Sequence, residues 1–104
     1  MAFFAVVTTI DSRGQALVIA RELVEHKLAA CVQLSNIESV YSWDGEVKQS
    51  REVRLVCKTT SERRADVEAA IRALHTYDLP AIHAVELDDV DLLYGEWIVR
   101  NTTP

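Results

Sequence analysis

No disulfide framework holds this chain of 104 residues together, because two cysteines, Cys31 and Cys57, are too few to build one. Both lie in apolar, strand-like runs, where a free thiol behaves as a small hydrophobe. Only three glycines and two prolines occur, and no stretch has the composition of a linker or a disordered segment. Gly14, Gly45 and Gly95 are too scattered to form a phosphate-cradling loop. Positive charge is short as well. A net charge of −5 argues against nucleic acid and anionic membrane as partners, since both require a basic footprint. No run reaches the ~20 apolar residues of a membrane span. The first residues, MAFFAVVTTID, lack a basic region and a small-residue cleavage site, so they read as a strand rather than a signal peptide. Strong metal signatures such as Cys-x-x-Cys or His-Glu-x-x-His are absent, and spacing assembles no Ser-His-Asp or Cys-His set. The expectation is one cytoplasmic, non-enzymatic domain over residues 1–104 that needs no cofactor to fold.

What is present begins with Val40–Thr60. Two β-prone runs flank Asp44-Gly45, a pair suited to the positive φ that a type I′ hairpin turn requires. The second arm, from Glu46 to about Lys58, is much longer than the roughly five or six residues of an ordinary strand. Its first half is polar, and its second half alternates through Val53, Leu55 and Cys57. A strand that outgrows its own core calls for a partner.

Around this hairpin the remaining elements fall in order. Phe3–Thr9 reads as a central strand buried on both faces. Ser12 with Gln15 forms a capping-box pattern, and Ala16, Ile19, Ala20, Leu23 and Val24 make one helical stripe ending near Lys27. Ala30–Leu34 resumes strand character, and a parity slip at Ser35-Asn36 predicts a bulge. Ser61 is placed as the cap of a second helix carrying Val67, Ala70, Ile71 and Leu74. Residues 75–80 form a loop, 81–87 a fourth strand, and 90–100 a third helix with Leu93, Tyr94, Trp97 and Ile98. The order β-α-β-β-α-β with an extra C-terminal helix is the α+β, ferredoxin-like split βαβ arrangement, an antiparallel sheet with both crossover helices on one face.

Candidate functional residues are few. Cys31 is either a packed thiol or a soft metal ligand. His75 and His83 flank the 77–80 loop and carry imidazoles suited to metals, the alternative being solvated side chains. Glu86, Asp88, Asp89 and Asp91 either bind a hard cation or favour the start of the last helix. Glu52 and Lys58 share one strand face by parity and either pair or line a cleft. Tyr41 and Trp43, large side chains that a monomer leaves wet, mark an interface.

The residues that remain resemble a known family. Lys27-Leu28-Ala29-Ala30-Cys31-Val32, Tyr41-x-Trp43-x-Gly45, Glu52-Val53, Lys58-Thr59-Thr60, His75-x-Tyr77-x-x-Pro80 and Asp91-x-x-Tyr94-x-x-Trp97 run collinearly through the chain. Together they are similar to the CutA family of divalent-cation tolerance proteins. The resemblance implies a homotrimer built like the PII signalling proteins, with Tyr41, Trp43 and Trp97 at the trimer interface. It implies divalent metal binding, copper above all, with Cys31 and His75 as the ligands carried over by position; His83, from its place beside the 77–80 loop, completes the candidate metal set. Two further cysteines of some members are replaced by Val7 and Ala70, the usual His-Pro-Tyr reads His75-Thr76-Tyr77, and Ser35-Asn36 stands where Pro-Gly is usual. An alternative is a PII-like sensor whose inter-subunit clefts, near Glu52, Lys58 and Tyr77, hold a small anion or nucleotide. An acyl-phosphate hydrolase on the same fold is a third reading, disfavoured because Thr8–Gly14 makes a poor anion nest.

Overall fold

In the computed structural model, which describes residues 1–104, four antiparallel strands carry three helices. The strands are β1 (Phe3–Ile10), β2 (Cys31–Trp43), β3 (Glu46–Thr60) and β4 (Ile82–Glu86). The helices are α1 (Arg13–Glu25), α2 (Arg64–Leu74) and α3 (Leu92–Asn101). Sheet order is β2-β3-β1-β4, so β1 and β3 are the central strands and the split βαβ arrangement holds.

The alternating side chains of β1 and β3 build the core on one face. Val6, Ile10, Val53, Leu55 and Cys57 meet Ala16, Ile19 and Leu23 of α1 and Val67 and Ile71 of α2. Leu55 is fully buried, and burial of a side chain of that size contributes about 1.5–3 kcal/mol. Ser12 caps α1, its Oγ accepting from the Gln15 backbone N–H at 3.3 Å. The helix closes with a Schellman pair: Leu28 N–H donates to the Leu23 carbonyl and Lys27 N–H to the Val24 carbonyl. Lys27 takes a φ of 57° there, a position usually given to glycine. Val24, placed in the buried stripe by periodicity, is exposed at the end of α1.

Two local expectations are corrected. The β2–β3 ladder keeps one register from Cys31↔Lys58 to Trp43↔Glu46, so no bulge forms at Ser35-Asn36. What changes there is the covered face. Val32 and Leu34 pack on the helix-side core, whereas Ile37 and Ser39, on the opposite face, are the half-buried residues further out. Ser61 does not cap α2. The β1–β3 ladder runs to Phe3↔Thr60, Ser61 N–H still donates to the Ala2 carbonyl, and Arg63 becomes the N-cap without a side-chain bond.

Beyond Val53 the β2–β3 hairpin leaves β1 behind and continues as two strands alone. Its turn has positive φ at both Asp44 (51°) and Gly45 (75°), as type I′ requires. The arm stretches the molecule to 45 Å along its long axis and raises its radius of gyration to 14.2 Å, against about 13 Å for a compact chain of this length. At the other end, Phe3 of β1 packs against α3 at Gly95, which has no side chain. A Cβ at Gly95 would sit 3.0 Å from Cζ of Phe3.

Candidate functional site

The loop after α2 is what brings chemistry to the base of the hairpin. His75 Nε2 bonds the Thr9 carbonyl at 2.7 Å, and Nδ1 accepts from the Tyr77 backbone N–H at 3.1 Å. With Nε2–H donating and Nδ1 accepting, the ring is neutral and both nitrogens are used. Its edge-to-face contact with Tyr77, centroids 4.7 Å apart, completes a staple that fixes the loop against the end of β1.

Tyr77 then reaches across the sheet to Glu52, its Oη donating to Oε2 at 2.8 Å. Glu52 retains only 9% of its surface exposure, an unusual position for a carboxylate. Burial, the hydrogen bond to Glu52 and that residue's negative charge all push the Tyr77 phenol above its ordinary range, burial most of all. The phenol is therefore a fixed donor.

Around this pair opens a cavity of about 760 Å³. Thr9, Ser39, Val40, Tyr41, Trp43 and Glu52 line it from the sheet, and Thr76, Tyr77, Asp78, Leu79 and Ala81 from the loop. By register, Ser39, Tyr41, Trp43 and Glu52 project from one sheet face, the one opposite α1 and α2. Asp78 and Leu79 were not singled out by sequence; nothing in their local pattern distinguishes them from other loop residues. The Glu52–Tyr77 contact spans 25 residues and could be signalled only by a glutamate placed where β3 enters the core.

The residues expected at metal do not converge. Cys31 on β2 and His83 on β4 lie on the same face but at opposite edges of the sheet, on the order of 15 Å apart from strand spacing and offset. No three His, Cys, Asp or Glu side chains gather where they could hold a metal ion within one chain. Lys58 sits beside Cys31 in the register and donates to Gln33 Oε1 at 3.4 Å. Six residues along β3, it is about 20 Å from Glu52 and does not line the cavity. Asp91 caps α3, accepting from the Tyr94 N–H at 3.1 Å, which is the helix-start role. Tyr41 and Trp43 stand half-exposed on the arm, and Trp97 stacks on Tyr94 along α3 with centroids 5.8 Å apart.

The model of the CutA1 divalent ion tolerance protein family matches residues 4–101. The chain belongs to the CutA family. Divalent-cation tolerance protein CutA of Thermococcus kodakarensis is 34% identical over 96% of each chain, and that of Thermus thermophilus 37% identical over 93% of this chain and 95% of the other. The solved structure of the periplasmic divalent cation tolerance protein CutA from Archaeoglobus fulgidus superposes with a TM-score of 0.94, at 33% identity, covering 99% of this chain and all of that one. A chloroplastic CutA from Arabidopsis thaliana is 34% identical over 93% of this chain, which spans 54% of that protein. None of these names denotes a reaction. The CutA fold thus extends along the whole sheet and all three helices. No helix of this CutA-family chain is long and apolar enough to cross a membrane.

Proposed function

We propose that the protein serves divalent-cation tolerance as a homotrimer that binds metal ions weakly, copper among them, at donors shared between copies. The observation that carries the reading is the hairpin beyond Val53. It is a two-stranded ribbon with Val40, Tyr41, Trp43 and Val47 exposed, and such a ribbon is marginal in water without a partner. Names of the relatives support the tolerance role. Cys31 and His83 each offer a donor on the face that α1 and α2 leave uncovered, with no companion ligand in their own chain. A second copy or water then completes the coordination, which keeps affinity low. His75 is assigned to the loop staple instead, since a metal would have to displace one of its two bonds. Titration of Cu²⁺ into metal-free protein tests the reading: Cys31→Ser and His83→Ala are expected to weaken binding, and unchanged binding in both would overturn it.

A second reading, a PII-like sensor holding a small ligand in a cleft, is favoured by the cavity at Glu52 and Tyr77. The lining of that cavity bears on which ligand it suits.

A further inference from the structure

The cavity at the base of the hairpin carries negative charge and no positive charge. Glu52 and Asp78 line it, and none of its lining residues is lysine, arginine or histidine. Glu52 is nine-tenths buried, yet it receives a single hydrogen bond, from Tyr77, and no cationic side chain lies within ion-pair distance of it. A carboxylate has about four acceptor positions; with one taken by Tyr77, and neither Glu52 oxygen both buried and unpartnered, its free acceptor positions open to the cavity. Tyr41, Trp43 and Leu79 supply aromatic and aliphatic wall beside it. A volume of about 760 Å³ is that of a small-molecule site.

These features exclude an anion and select among cations. An inorganic divalent ion needs six or more oxygen ligands or a tight set of soft ones, and no such cluster exists here. An alkylammonium or alkylguanidinium group needs one buried carboxylate for its charge and an aromatic, apolar wall for its stem and π faces. We infer that the Glu52 cavity is a binding site for an organic cation, a primary ammonium or guanidinium group on a short carbon chain, with Glu52 as its counter-ion and Trp43 and Tyr41 as its wall. The same group can arrive on a free small amine or as a lysine or arginine side chain of a second copy. The inference does not depend on the metal-tolerance reading.

The experiment is calorimetric titration in metal-free buffer with n-butylammonium and n-butylguanidinium, butyrate being the control. Both cations are expected to bind and butyrate is not. Glu52→Gln, which keeps an oxygen to accept from Tyr77, is expected to weaken cation binding at least tenfold with an unchanged circular dichroism spectrum. Trp43→Leu weakens it several-fold and serves as the second variant should Glu52→Gln fail to fold. Equal cation binding by wild type and the folded variants, or equal binding of butyrate, overturns the inference. Where neither free cation binds the wild type, dilution is followed by sedimentation. Dissociation of Glu52→Gln at a concentration at least tenfold higher than wild type assigns the cation to a neighbouring copy, and identical dissociation overturns the inference.

Discussion

Tyr77 and Glu52 are joined by a 2.8 Å hydrogen bond that ties the loop after α2 to the strand where the hairpin leaves the core. The phenol is the only hydrogen-bond donor to a carboxylate that is almost wholly buried, so the bond sets both the loop position and the polarity of the cavity. Tyr77→Phe is expected to lower stability by about 1.5–3 kcal/mol, the range for a hydrogen bond to a charged group. Urea unfolding measures it, and a loss below a few tenths would mean that water replaces the phenol.

Thr8 presents the opposite case. The residue is 1% exposed, and its hydroxyl is the one buried side-chain oxygen without a partner. Thr8→Val keeps the shape and removes the unsatisfied group, so it is expected to raise stability by about 1 kcal/mol. A higher midpoint at unchanged denaturant slope is the result that checks it.

Cys57 lies buried on the core side of β3, and burial pushes its thiol from 9.0 up to about 12, with Cys31 adding a smaller push. In the unfolded chain the thiol loses its proton near its ordinary value. Between those limits the folded state holds more protons than the unfolded one, so stability falls as pH rises. This contribution is complete below about pH 9 and is lost toward pH 12. Tyr77 adds a loss of the same sign above its own ordinary value, so the clean measurement is a difference. Cys57→Ala is expected to flatten the decline over that range, whatever it costs in packing.

Much of this architecture was legible in the sequence because local chemistry and tertiary packing agree. Asp44-Gly45 needs positive φ and has it, and the stripe Ala16, Ile19, Ala20 and Leu23 is buried as its spacing demands. The failures occur where distant residues decide. Ile37 and Val40 do not keep one parity in β2, for which a bulge is the local explanation; the ladder is instead unbroken, with Val32 and Leu34 toward the helices and Ile37 half-buried on the opposite face. Ser61 has the chemistry of a cap but is still held by Ala2 across the sheet. His75 reads in sequence as a metal-ligand or solvated imidazole because neither of its partners, the Thr9 carbonyl and the Tyr77 N–H, is visible in a residue pattern.

Trp43 is 44% exposed near the tip of a ribbon to which no third strand of the chain pairs. Trp43→Ala is expected to weaken assembly more than it destabilises the core, since Leu55, Ile71 and the rest of the cluster lie elsewhere. Dilution series by light scattering, set beside a urea melt of the same variant, separate the two effects. A lowered melt with unchanged assembly would place the tryptophan's role within the chain.

The most direct test of the account is the mass of the wild-type protein in solution. Sedimentation equilibrium is predicted to give a single species of three times the 11.7 kDa chain mass, held to low concentration by the β2–β3 arm. A stable species at 11.7 kDa would contradict the shared-donor site and the partner-supported hairpin together.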